Sequence, residues 1–186
     1  EIGSASGDYA LLLDSIFGSV VTTEKGSKGR NTQIKKGIRC INTHPDEDEF
    51  LMHMNNYRFD LICCFSYLEH LPNPIDTLQK LSSLLSDSGY LLLEVPNSEL
   101  IFKEGLLNEV IPDHLAYYTP NTIFKLLEST GYELINCSIK WSDYIICTLS
   151  NKAINKPLLI LEEKYSKFQQ QISQPTSSCF PDNRQS

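Results

Sequence analysis

The sequence predicts an α/β fold, a Rossmann-like doubly wound sheet that is mostly parallel and closes with a C-terminal antiparallel hairpin. Three observations predict it. Segments of strand and helix character alternate along the chain, which is the order that packs helices on both faces of a sheet. FDLICCFS and GYLLLEVP are continuously apolar, as parallel strands covered on both faces are. YELINCSI and DYIICTLS follow one another across a short Lys-Trp-Ser turn and read as an antiparallel pair.

Taken in order, EIGSASGDYALLLDSIFG reads as the end of a strand, a glycine turn and a helix. Ala10, Leu13 and Phe17 supply the apolar positions of that helix and Gly18 its stop. SVVTTE is a β-branched strand ending at Glu24, and the polar stretch from Lys25 to Lys36 reads as a solvated loop before a strand at GIRCIN. HPDEDEF reads as an acidic loop. After the FDLICCFS strand, Asn73 caps a helix with Pro74 in its first position and Ile75, Leu78, Leu81 and Leu85 on one face. A turn at Gly89 leads into GYLLLEVP. Residues 97–118 show no clean period and suggest a lid or substrate insert. Thr119 and Pro120 open a helix carrying Ile123, Phe124 and Leu127, which Gly131 ends. The expected organisation is one domain over 1–150, a helix within 151–172 starting near Pro157, and a disordered tail over 173–186.

A length of 186 residues suits one domain, and 41% apolar content is enough for a core. A formal charge of −7 argues against a general nucleic-acid binder, and the basic stretch from Lys25 to Lys36 has no aromatic side chain to stack a base. No apolar run approaches the ~20 residues of a membrane helix, and no secretory leader is read in the opening residues. Cys40, Cys63, Cys64, Cys137, Cys147 and Cys179 form no CxxC pair, so buried free thiols and a reducing, cytoplasmic compartment are expected. His44 and His53 match no metal-ligand spacing.

Sheets of this kind bind ligands beyond the carboxyl ends of their strands. Gly3 and Gly7 there lack the GxGxxG dinucleotide pattern, which leaves either a nucleoside ligand without a pyrophosphate or a structural turn. Glu24 stands where a carboxylate accepts from two ribose hydroxyls, or is a solvated side chain. Glu69 and His70, after the FDLICCFS strand, are either an acid–base pair or a pair that orients its own loop. His114 is either a second wall of the pocket or an ordinary residue before a helix start.

The strings EIGSASG, FDLICCFSYLEHLPNP, GYLLLEVPN and DHLAYYTPNTIFKLLESTGYE together resemble the class I S-adenosylmethionine-dependent methyltransferases, in the branch acting mostly on small molecules and sugars. The resemblance covers roughly residues 1–150 and implies a seven-stranded sheet with its last strand inserted antiparallel beside the sixth. It implies S-adenosylmethionine as cofactor, with Glu1, Gly3, Ser4, Ala5 and Gly7 around the methionine part. Glu24 then holds the ribose, Lys25 beside it is a further cofactor-binding residue, and Phe65 and Ser66 form the pocket edge. Glu69 and His70 face the reaction centre, with His114 on the substrate side; His70 or His114 serves as base for O- or C-methylation of a small-molecule or sugar acceptor. Neither a nucleic-acid nor a membrane partner is implied. Ala5 replaces a customary glycine, and the chain opens at Glu1 in mid-strand, so either a fragment or a relative shortened at its leading strand is expected. No metal is expected, because Ser66 stands where a metal-assisted branch has a carboxylate. A non-catalytic scaffold with weakened donor binding is the alternative.

Overall fold

The structure is a computed structural model and describes residues 1–140 and 144–151, together with the single positions 167 and 170. Helix α1 (Asp8–Phe17), strand β1 (Val21–Thr23), helix α2 (Ser27–Lys35), strand β2 (Arg39–Ile41), helix α3 (Phe50–Met54) and strand β3 (Phe59–Phe65) form the first half. Helix α4 (Pro74–Leu84), strand β4 (Leu85–Pro96), helix α5 (Ser98–Glu104), helix α6 (Pro120–Ser129), strand β5 (Tyr132–Lys140) and strand β6 (Tyr144–Asn151) complete it.

β1 runs parallel to β2, and β3 parallel to β4. β6 lies antiparallel between β4 and β5. Ile2 bridges Thr23 on one side and Cys64 on the other, both in parallel sense, and so joins the two halves into one doubly wound α/β sheet. Adjacent strand residues point to opposite faces, so the Cys63–Cys64 pair feeds two cores. Cys64 joins Phe50, Met54, Leu78, Leu81, Ile123 and Leu127 under α3, α4 and α6. Cys63 joins Leu13, Leu92 and Ile146 under α1. Leu91, Leu92 and Leu93 are almost wholly buried, each worth about 1.5–3 kcal/mol of removal from water.

Local chemistry explains most ends. Gly18 ends α1 in the left-handed region, at φ 78°. Asn73 caps α4 by accepting from the Asp76 amide at 3.3 Å, with Pro74 first in the helix. Thr119 and Thr122 form a capping box on α6.

Several expectations need correction. The stretch from Lys25 to Lys36 is not a solvated loop; it contains α2, whose inward residue is the fully buried Gln33 while Ile34 lies 60% exposed. A helix anchored by a polar side chain shows no apolar period, which is why the sequence hides it. The acidic run ends in the short helix α3, which buries Phe50 and Met54. Ile75 and Phe124 are exposed, and Leu85 leaves α4 to begin β4, with Leu84 packing in its place. The turn expected at Gly89 is an irregularity inside β4, where Phe59 pairs with Leu85 but Leu61 pairs with Tyr90. The insert 97–118 holds α5 and a tight turn at Leu107–Glu109. Cys137 is exposed, not buried, and its Sγ lies 3.2 Å from that of Cys147 across the β5–β6 ladder. The Lys-Trp-Ser turn, the final helix and the tail fall outside the described residues but for isolated positions. Among the described residues, no helix is long and apolar enough to cross a membrane.

Candidate active site

The turn between Ile2 and α1 carries three left-handed residues, Gly3 at φ 64°, Ala5 at φ 45° and Gly7 at φ 76°. Glycine adopts this region freely, whereas an L side chain costs roughly 1–2 kcal/mol there. Ala5 therefore stores strain at the position where the family resemblance expects glycine. Ala5→Gly is expected to raise stability by up to about 1 kcal/mol, read as a higher urea midpoint, because relief of strain outweighs the added freedom of the unfolded chain.

The strained turn is stitched down by Gln33. Its Nε2 donates to Ser4 Oγ at 2.8 Å and to the Ala5 carbonyl at 2.8 Å, while its Oε1 accepts from the Thr22 hydroxyl. Glu24 leaves the end of β1 and closes the same turn. Its Oε2 accepts from the Ala5 amide at 2.9 Å and its Oε1 from the Gly26 amide. The Arg30 guanidinium donates to the carbonyls of Glu24 and Lys25 and to Asn42. Lys25 pairs with Glu47, whose carboxylate also accepts from the His44 amide at 2.9 Å. That pairing, Lys25 first and the His44 amide second, holds the Glu47 carboxyl down at about 2.

β3 delivers the opposite wall. The Phe65 ring lies against Tyr9, with centroids 4.9 Å apart. Ser66 turns the chain sharply at φ 45° and donates its amide to the Glu94 carbonyl at 2.9 Å. Ser66 Oγ reaches Glu94 Oε1 at 3.3 Å, and burial pushes the Glu94 carboxyl upward. The Tyr67 ring lies on Gly3, where an added Cβ would meet Tyr67 Cδ2 at 2.1 Å; the ring also packs on His44 at 5.1 Å. Tyr67 thus holds the glycine turn and the loop after β3 in one mouth.

The third group is a single turn, Leu68–His70. The Glu69 carbonyl accepts from the amides of Leu115 at 2.8 Å and Ala116 at 3.1 Å, which draws the insert back onto this turn. The Glu69 side chain is buried, and neither carboxylate oxygen has a hydrogen-bond partner in the structure. Burial lifts its carboxyl to about 7. His70 Nδ1 lies 2.9 Å from the Asp113 carbonyl, an acceptor only, so Nδ1 carries the proton and Nε2 the lone pair in the neutral ring. His70 Nε2 lies 4.0 Å from Glu69 Oε1. The rings of His70 and His114 meet edge to face at 4.9 Å, and Tyr117 continues the row at 5.9 Å from His114. Burial, then the His70 neighbour, depress His114 below the ordinary histidine range.

The structure thus brings Gly3, Ser4, Ala5, Gly7 and Glu24 together on one side of the mouth, and Glu69, His70 and His114 on the other. Lys25, Phe65 and Ser66 flank them. Glu1 stands apart. It lines a hollow of about 720 Å³ at the amino-terminal ends of the strands, beside Val21, Arg39, Phe59 and Leu61. Ligand chemistry is concentrated at the carboxyl ends instead, so this hollow is set aside as the reaction site. Sequence reasoning missed Gln33, Tyr67, Glu94 and Tyr118. Tyr118 is buried with an unpartnered hydroxyl, which burial and then the Glu69 charge push up to about 12. The aromatic pair in DHLAYYTP was its one visible signal.

Comparison with known proteins gives a consistent picture. A family profile described as a methyltransferase domain matches residues 1–136. A ubiquinone biosynthesis O-methyltransferase of Vibrio cholerae is 23% identical over 90 residues, covering 42% of this chain and 36% of the relative. Its counterpart in Colwellia psychrerythraea is 22% identical over 152 residues, covering 74% of this chain and 61% of the relative. The chain therefore spans between about a third and three fifths of the length of these relatives. Among solved structures, the N-methyltransferase NodS of Bradyrhizobium japonicum, in complex with S-adenosylhomocysteine, superposes with a TM-score of 0.63 at 14% identity, over 81% of this chain and 76% of that one.

Proposed function

The chain belongs to the methyltransferase-domain family, and on that premise we propose that it moves a methyl group from S-adenosylmethionine to a hydroxyl oxygen of a small-molecule acceptor. One observation carries the reading. The Gly3–Gly7 turn closed by Glu24 faces a buried carboxyl and a histidine pair, across a mouth held together by Tyr67. The names of the two relatives support an oxygen acceptor, and so does the presence of proton-accepting side chains, which a nitrogen or thiol acceptor has little need of.

The residues present fit the donor. Each Glu24 oxygen spends one lone pair on a main-chain amide and keeps another for a ribose hydroxyl. The absence of side chains at Gly3 and Gly7 lets the Tyr67 ring and Gln33 pack directly on the turn, which shapes the edge of the donor's place. Once bound, S-adenosylmethionine supplies a sulfonium methyl for in-line displacement. The protein's share is mostly alignment and exclusion of water. Glu24 orients the ribose, and Tyr67 closes over the turn. His70, with Nδ1 held by the Asp113 carbonyl, offers Nε2 to the acceptor's proton, and Glu69 beside it stabilises the imidazolium that forms. The insert contributes Phe102, Leu107, Ile111 and Leu115, all exposed, to an apolar approach that suits an acceptor with an aromatic or aliphatic body.

His70→Ala is expected to lower turnover by about 10²–10⁴-fold, the usual worth of a positioned base. It leaves the stabilisation by S-adenosylhomocysteine in place, which amounts to about 2.7 kcal/mol at 100 times the dissociation constant. Thermal melting with the product, together with release of S-adenosylhomocysteine from a panel of phenolic and sugar hydroxyl acceptors, reads both. A wild-type chain whose melting ignores donor and product alike would refute the reading.

A further inference from the structure

We propose that Cys137 and Cys147 are a site of reversible covalent modification, at which a small-molecule disulfide oxidises the two thiols to a bond between strands β5 and β6. The two residues stand directly opposite each other in the antiparallel ladder. Residues so paired have Cα atoms about 4.5–5.5 Å apart, inside the roughly 4.4–6.8 Å that a disulfide spans, and their side chains share one face. The Cys147 thiol donates to Cys137 Sγ at 3.2 Å. Small side-chain rotations, with no movement of the strands, therefore bring the sulfurs to bonding distance.

Burial divides the roles. Cys137 is exposed, whereas Cys147 is 1% exposed and belongs to the apolar core with Leu93, Ile145 and Leu149. Burial, then the contact with Cys137, push the Cys147 thiol up, which makes it a poor nucleophile toward anything in solution. Reaction therefore begins at Cys137. Its thiolate attacks one sulfur of glutathione disulfide; that S–S bond breaks and one glutathione leaves. Cys147 then gives up its proton and attacks the Cys137 sulfur of the mixed disulfide, which releases the second glutathione. The two cysteines lose two electrons, the glutathione disulfide gains them, and the two protons end on the released glutathiones. Among the described residues the other thiols lack this arrangement. Cys63 and Cys64 feed opposite faces of one strand, and Cys40 lies in the β1–β2 ladder. β5 is the outer strand of its four-stranded sheet, and Cys147 faces Leu93 of β4 on its other side. The bond thus ties the outer strand to the interior of the sheet.

This site does not rest on the methyl-transfer reading. The test equilibrates the intact 186-residue chain, folded and in urea, in glutathione buffers of graded thiol-to-disulfide ratio, then alkylates and digests it with trypsin. Cleavage after Lys125, Lys140 and Lys152 puts the two cysteines on separate peptides, 126–140 and 141–152. The bond is read as their joined mass less two hydrogens, which dithiothreitol abolishes. The expected result is a joined peptide whose oxidation constant is at least tenfold larger in the folded chain than in urea, because packing holds the sulfurs together. Cys137→Ser, at an exposed position, should keep the wild-type melting midpoint and leave Cys147 free of glutathione, as a buried thiol that solution disulfides do not reach. Four outcomes overturn the proposal: Cys137 halted as its glutathione adduct, Cys137 joined to Cys40 or Cys179 instead, an oxidation constant less than tenfold larger in the folded chain, or glutathione on Cys147 in the folded Cys137→Ser variant.

Discussion

Glu24→Ala is expected to weaken binding of S-adenosylhomocysteine by about 100-fold. Two charge-assisted hydrogen bonds to the ribose, each worth about 1.5 kcal/mol, would be lost, and ~3 kcal/mol corresponds to that factor. The same change strips the Ala5 and Gly26 amides of their acceptor, so the turn loosens before the ligand arrives. Glu24→Gln separates the two effects. It keeps one carbonyl acceptor and the side chain's shape, and should fall between wild type and alanine. Isothermal titration measures both. Affinity unchanged in Glu24→Ala would remove this carboxylate from the donor site and with it the present placement of the donor.

The second large effect concerns stability. Gln33→Leu is expected to cost about 2–4 kcal/mol, because it removes three hydrogen bonds at once, from the Thr22 hydroxyl and to the buried Ser4 hydroxyl and the Ala5 carbonyl, and leaves Ser4 and Thr22 only their longer bonds to the Thr23 and Arg39 carbonyls. For a chain of this size that is a fall in melting temperature of very roughly 5–15 °C. The turn that Gln33 pins also carries the strained Ala5, so donor affinity should fall together with stability. Ile34→Ala, one position along the same helix but mostly exposed, should change stability by no more than about 0.5 kcal/mol. Equal melting temperatures for the two variants would mean that α2 is held by something other than its glutamine.

The fold was largely legible because its signals are local. The apolar runs of β3 and β4, the Asn73–Pro74 and Thr119–Pro120 starts, and the αL glycines at 18 and 131 each rest on a few adjacent residues. α2 was not legible, since its only buried side chain is polar and its reward lies in a turn far back in the chain. Spacing alone puts Ile75 and Phe124 on the apolar faces of their helices, yet both are exposed. A helix of period 3.6 places its edge positions according to how the neighbouring element curves, and the sequence does not record that.

The site divides the same way. The glycine turn, Glu24 and the Glu69–His70 pair could be read from the chain, because each sits at the end of a strand and strand ends are where such sheets bind. What those residues do to one another was decided only in three dimensions. The unpaired state of the Glu69 carboxyl, the tautomer of His70 and the approach of His114 all depend on a segment that the backbone of Glu69 itself captures, at Leu115 and Ala116. Residue types and short-range spacing determine which groups reach the mouth of a parallel sheet. Burial and long-range hydrogen bonds determine their charge and their partners, because desolvation and proximity are properties of the packed molecule and of no segment within it.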